Sequence, residues 1–163
     1  MSLRSDVGVR EEPSLICCLQ PQLTLMHIDK LNGHEEVDPF HLQSLMAEIE
    51  SDGFLRMPIV VDRHTNTIID GHHRYYALRQ LNCKRIPVIF INYDSCEVVA
   101  VAWREGEEVT KDSVLSAALN GRRLPPKTTK HLVLINGVFK HISAMEEAIN
   151  IPLERLKQVR ARC

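Results

Sequence analysis

Asp70-Gly71-His72-His73-Arg74 is the densest run of chemistry-bearing residues in the chain. It lies between the apolar stretch Thr67-Ile68-Ile69 and the residues Tyr75, Ala77, Leu78 and Leu81, which fall at helical spacing. The run therefore reads as a strand-to-helix corner. Gly71 permits the sharp turn and lets a ligand approach the backbone. The first free amides of the helix make such a corner an anion site, and His72, His73 and Arg74 add cationic or donor side chains. Arg74 suits a bidentate grip on a phosphate. The plainer alternative is a corner with two surface histidines and a solvated arginine.

Two further clusters join it. One is His34-Glu35-Glu36; the other is Pro126-Lys127-Thr128-Thr129-Lys130-His131. The second suits an anion, because hydroxyls and backbone amides wrap phosphate oxygens while lysine supplies charge; alone, it reads first as a basic solvated loop. Glu35 and Asp70 matter because cations alone bind phosphate without doing chemistry. A carboxylate beside phosphates holds magnesium or takes a proton from an attacking hydroxyl. Asp70 has a second reading as the cap of the helix beginning at Gly71. An anion at that helix start competes with the cap unless a cation such as magnesium lies between them. Trp103, Tyr75 and Tyr76 read first as packing, and the eight histidines show no zinc signature.

The elements that must position these clusters follow from pattern. Leu23 to Leu31 alternates as a strand. Asp38-Pro39 starts a helix by capping residue and first-turn proline, with Phe40, Leu42, Leu45, Met46 and Ile49 on its apolar face and Gly53 as its stop. Pro58 to Asp62 and Thr67 to Asp70 read as strands joined by the turn Arg63-His64-Thr65-Asn66. The motif helix runs to about Leu81, with Asn82 as a candidate cap. Pro87 to Ile91 and Glu97 to Trp103 read as strands, Lys111 to Leu119 as a helix, and Asn120 to Pro126 as a loop. Leu132 to Ile135 is a strand, and from about Ser143 the pattern predicts two helical pieces broken at Pro152. The class is α/β (α+β), a small mixed sheet flanked by helices. Residues 1–20 read as a frayed N-terminal segment and 21–163 as one domain.

Composition narrows the function. A chain of 163 residues with 44% hydrophobic content buries a core. A net charge of -1 argues against a general nucleic-acid binder, which needs a basic surface. No apolar run reaches membrane-span length and no signal-peptide pattern is present, so a cytoplasmic protein is expected. Cys17, Cys18, Cys83, Cys96 and Cys163 lack metal-ligand spacing; the Cys17-Cys18 pair reads as apolar filler.

At these residues the chain resembles the ParB/sulfiredoxin superfamily, whose phosphate motif G-x-x-R-x-x-A is filled by Gly71, Arg74 and Ala77. The fuller pattern is similar to that of the free L-serine kinases. It includes His34-Glu35, Pro58, Asp70 to Arg74, Lys84-Arg85 with Pro87, Trp103, and Lys127 to His131, where Lys130 replaces an arginine. The resemblance spans roughly residues 23–135. It implies transfer of a phosphoryl group from ATP or ADP, with Mg2+, to free L-serine, giving O-phospho-L-serine. It makes Glu35 the catalytic carboxylate and gives Asp70 a supporting metal or proton-transfer role. His72, His73, Arg74, Lys127 and Thr129, with Gly71, would hold the phosphates. Trp103, Thr128, Lys130 and His131 would surround the amino acid or its phosphate. Archaeal members carry an insertion where this chain has only residues 104–126, which bears on closure and nucleotide choice. Within the superfamily, sulfiredoxin chemistry lacks its thiol, because His72 stands in the cysteine's place. A ParB partition protein would add a helix-turn-helix domain and a basic surface. The remaining alternative is a non-catalytic ParB-like nucleotide-binding regulator.

Overall fold

Asp38 caps the first long helix as its sequence dictates: its side chain accepts from the His41 N–H at 2.8 Å, ahead of Pro39. This helix, α1, spans Pro39–Asp52 and ends on Gly53 in the left-handed region, at φ 75°. The computed structural model describes residues 22–158. The expectations for residues 1–20, for Cys17-Cys18 and for Cys163 lie outside them.

Strands β1 (Leu23–His27), β3 (Ile59–Asp62), β4 (Ile68–Asp70) and β5 (Arg85–Ile91) form a mixed sheet in the order β1-β5-β3-β4. Only the β3–β5 pairing is parallel. All four residues of β3 are buried, because helices cover one face of this sheet and a second sheet covers the other. On the helical face, Ile59, Val61 and Ile86 pack with Leu42 and Ile49 of α1 and with Leu78 of α2 (His72–Gln80). Leu156 of α4 (Leu153–Lys157) closes that core. On the opposite face, Val60, Ile69 and Ile91 meet Val98 of β6 (Val98–Ala102), Val133 of β7 (Thr129–Ile135) and Val114 of α3 (Lys111–Leu119). Strands β6, β7 and β8 (Val138–His141) make an antiparallel three-stranded sheet. The α/β class and the small mixed sheet are as the sequence predicts.

Three boundaries differ. β1 stops at His27 rather than Leu31, because Ile28 turns inward on a 3-10 turn (Ile28–Lys30) and its N–H donates to the Lys84 carbonyl. β7 begins inside the polar run, at Thr129, and continues through Asn136-Gly137 into β8. Both turn residues have positive φ, 49° and 77°, the hairpin signature that an Asn-Gly pair provides. The C-terminal segment is not helical before Pro152. After the 3-10 turn Ile142–Met145 it runs extended into β9 (Ile151–Pro152), which pairs with β2 (Phe54–Leu55). There the N–H groups of Ile149 and Asn150 donate to the Arg56 carbonyl, which removes them from any helical ladder.

Gly71 is the tightest point of the framework. It sits at φ 102°, and a β-carbon there would lie 2.5 Å from Ile59 Cγ2. Gly71→Ala is therefore expected to cost on the order of 2–4 kcal/mol, left-handed strain plus a clash with the core. Gly53→Ala has the strain without the clash and should cost about 1–2 kcal/mol. Urea denaturation midpoints of the two variants measure the difference.

Candidate active site

The motif helix starts without a side-chain cap. Gly71 is the N-cap, and the first helical bond runs from the Tyr75 N–H to the Gly71 carbonyl. The amides ahead of it open outward as an anion site requires. Asp70 does not cap the helix. It accepts instead from Arg74 Nη2 at 3.2 Å.

Arg74 is not a free phosphate hook. Its guanidinium forks onto Glu146 at 2.8 and 3.0 Å, and Nη1 also donates to the Pro58 carbonyl. With 18% of its side chain exposed, both terminal nitrogens are engaged twice, Nη1 by Pro58 and Glu146 and Nη2 by Asp70 and Glu146. Burial pushes the Glu146 carboxyl up and Asp70 adds to the rise; Arg74 opposes both, and the carboxyl still ends near 7. Glu146 carries no signal in the sequence, since one of two adjacent glutamates in a segment that reads as helix looks like a solvated face.

His72 and His73 also differ from the cationic reading. His72 Nε2 accepts from the His34 N–H at 3.1 Å, and His73 Nε2 accepts from the Asp38 N–H at 3.2 Å. Burial lowers both histidines, so the pair is neutral and pins the loop carrying Glu35 onto the first turn of α2. His34 stacks edge-on between His72 and His131, with centroids 4.5 and 5.8 Å away. Burial holds His34 down at about 4 and His131 at about 3. His131 Nε2 pairs with the Tyr93 hydroxyl at 2.8 Å, so that nitrogen of His131 is spent within the fold.

Glu35 faces this group from the other side. Its two oxygens accept from the N–H groups of Lys127 and Thr129, at 2.6 and 3.2 Å. Burial raises its carboxyl above the ordinary value, against the pull of those amides. The pleat of β7 divides the polar run that supplies them. Thr129 and His131 are buried inward. Lys130 places its ammonium 4.9 Å from the Trp103 ring centroid, and the Thr128 hydroxyl donates to the Pro125 carbonyl.

A cleft of about 530 Å3 is lined by Glu35, Asp70, Gly71, His72, His73, Arg74, Trp103, Lys127, Thr129 and His131, together with His34 and Glu146. Ten of the twelve residues singled out in the sequence thus meet in one place; Thr128 and Lys130 do not line it. Among the described residues no three His, Cys, Asp or Glu side chains group as a metal site. Asp70, about a quarter exposed in the cleft, still fits magnesium, which takes one or two carboxylates and completes its shell with phosphates and water.

Fold and corner together define an α/β phosphate-motif domain of the ParB type. The chain belongs to the ParB N-terminal domain family, whose profile matches residues 20–106. It is 34% identical over 109 residues to a protein of Staphylothermus marinus named ATP-dependent L-serine kinase, covering 63% of this chain and 42% of that one. A protein of the same name from Desulfurococcus mucosus is 41% identical over 86 residues, covering 50% and 34%. The chain spans less than half the length of these curated relatives. Among solved structures, a free serine kinase in complex with AMP superposes with a TM-score of 0.68 at 17% identity, covering 82% of this chain and 93% of that one. That likeness establishes the fold. Among the described residues no helix is long and apolar enough to cross a membrane.

The buried histidines set the acid response. His34 and His131 titrate below their ordinary 6.5 in the folded state, and His72 and His73 shift the same way. As pH falls below 6.5 the unfolded chain binds protons that the fold refuses, so stability is lost. Glu146 acts oppositely between its ordinary 4.5 and about 7, because there the folded state holds the extra proton, and the raised Glu35 acts in the same sense above 4.5. The four histidines outnumber these two carboxyls. Stability should fall from pH 6.5 toward 4 by about 1.4 kcal/mol per pH unit for each uncompensated proton. Denaturant midpoints against pH measure this, and His131→Gln should flatten the slope by about one proton.

Proposed function

We propose that this protein transfers the terminal phosphoryl group of ADP or ATP to the hydroxyl of free L-serine, giving O-phospho-L-serine. The observation that carries the reading is Glu35. Backbone amides hold it in the same cleft as Asp70 and the uncapped start of α2. Relatives named as L-serine kinases over the matched segment support it.

Each oxygen of Glu35 accepts one amide and keeps a further lone pair. A substrate hydroxyl can donate to that lone pair and pass its proton to the carboxylate as the phosphoryl group is transferred. The open amides of α2, with Lys127, would face the phosphates, where fixed donors stabilise developing charge. Asp70 would hold magnesium, which neutralises phosphate charge when bound. Arg74 acts here as a buttress, keeping α2 and Asp70 in place through Glu146 and Pro58. The site would be reached by nucleotide and a small amino acid; a cytoplasmic setting fits those substrates.

The second reading is a ParB-like nucleotide-binding regulator without turnover. The pairing of Arg74 with Glu146 favours it, since the motif arginine is then occupied. The two readings separate on one assay. Purified protein with magnesium, ADP or ATP, and serine should yield phosphoserine by mass. Glu35→Gln should lower that rate by about 10²–10⁴ while nucleotide affinity by calorimetry changes only a few-fold. A regulator yields no phosphoserine with either protein. An unchanged rate in the variant would remove Glu35 from the chemistry.

A further inference from the structure

Two polar atoms at one end of the cleft are left without a partner. His34 commits Nδ1 to the Ile68 carbonyl oxygen, 2.8 Å away. A carbonyl only accepts, so Nδ1 carries the hydrogen, and the neutral ring keeps a bare lone pair at Nε2. Thr129 is 8% exposed, and its Oγ1 is buried with no hydrogen-bond partner. Both residues line the cleft. The Thr129 N–H donates to Glu35 Oε2, and the His34 ring lies edge-on to His131, which shares the inward face of β7 with Thr129, so lone pair, hydroxyl and carboxylate gather at that end of β7. A buried hydroxyl left empty in this way is costly, and the lone pair of His34 is open beside it.

The chemistry of that corner selects the ligand group. His72 Nε2 is spent on the His34 N–H and His131 Nε2 on the Tyr93 hydroxyl. Of the three stacked histidines, His34 is thus the one whose free nitrogen is fixed as an acceptor. A phosphate oxygen would meet a lone pair and a carboxylate there, with repulsion from each. A primary ammonium has three hydrogens and a positive charge, and satisfies both.

We infer that His34 Nε2, with Thr129 Oγ1 and Glu35, receives the ammonium group of the amino-acid substrate, which makes His34 a specificity-determining residue. This rests on the serine-kinase reading. In serine the ammonium and the hydroxyl are carried on adjacent carbons, so a carboxylate that meets one has the other within reach. The corner then explains selection of a free amino acid: an acylated amine loses its charge and two of its donors, leaving His34 and Thr129 unpaired.

The test is calorimetric titration of L-serine and of 3-hydroxypropanoate, which lacks the amine, with AMP present as a nucleotide that has no phosphoryl group to give, into wild-type protein, His34→Asn, His34→Gln and Thr129→Val. Asparagine keeps a donor for the Ile68 carbonyl and deletes the Nε2 acceptor, whereas glutamine places an amide near Nε2. His34→Asn should weaken serine about 10–100-fold, with 3-hydroxypropanoate within about twofold and AMP affinity unchanged. His34→Gln and Thr129→Val should fall between His34→Asn and wild type. Equal loss of both compounds in His34→Asn would assign the lone pair to the hydroxyl and overturn the inference, as would wild-type serine affinity. Serine binding with no phosphoserine formed by wild type sinks the kinase reading alone. Phosphoserine formation with His34→Asn indistinguishable from wild type sinks the inference alone. Absence of both binding and turnover in wild type overturns the two together.

Discussion

The guanidinium of Arg74 is the point on which the site's geometry hangs. It joins the first turn of α2 to the end of β4 through Asp70, to the entry of β3 through Pro58, and to the C-terminal segment through Glu146. A cation this buried is tolerated only while its partners are in place, because removing one leaves an uncompensated charge. The pairing fixes where α2 begins, and with it the direction in which the amides behind Gly71 open. It also fixes the local charge. Two carboxylates share one guanidinium, and burial holds one of them, Glu146, up toward its protonated form.

The rest of the cleft sorts ligands by charge with groups that are themselves uncharged. His34, His72 and His131 are held neutral by burial, and each spends at least one ring nitrogen on the fold. Their contribution is therefore orientation. His72 and His73 grip the backbone of the loop that carries Glu35, while Tyr93 locks His131 from behind. The charged groups that remain lie toward the rim: Lys127 on one side, with the exposed Trp103 beside Lys130. An anion would thus be met at the helix start and rim, and a donor at the floor.

Local signals were legible wherever a residue acts on its immediate neighbours. The Asp38 cap, the Gly53 stop and the helix at Lys111–Leu119 all follow from nearest-neighbour chemistry. So does the β3–β4 hairpin. The Asn136-Gly137 turn was equally local and readable, but the segment after it was assigned no strand. What sequence could not carry were partners distant along the chain. Arg74 and Glu146 are separated by 72 positions, and neither neighbourhood announces the other. The same holds for the twin histidines. A run of His-His-Arg reads as cationic until the fold supplies backbone donors from residues 34 and 38 and removes the water that would charge the rings.

The connection between Trp103 and Lys127 shows how a segment that looks like a missing lid can brace a site. Val114 of α3 anchors it in the core, fully buried. Leu124 then runs beside the loop that carries Glu35 in a parallel bridge to that residue: its N–H donates to the His34 carbonyl and its carbonyl accepts from the Glu36 N–H, both at 2.8 Å. Three residues further on, the Lys127 N–H takes a Glu35 oxygen. Glu35 is therefore clamped by backbone on one side of its loop and by the α2 histidines on the other. A residue held this way pays little orientational entropy when substrate arrives. The short connection therefore braces the site, since its C-terminal end is bonded to the Glu35 loop at Leu124 and Lys127 just before β7 begins.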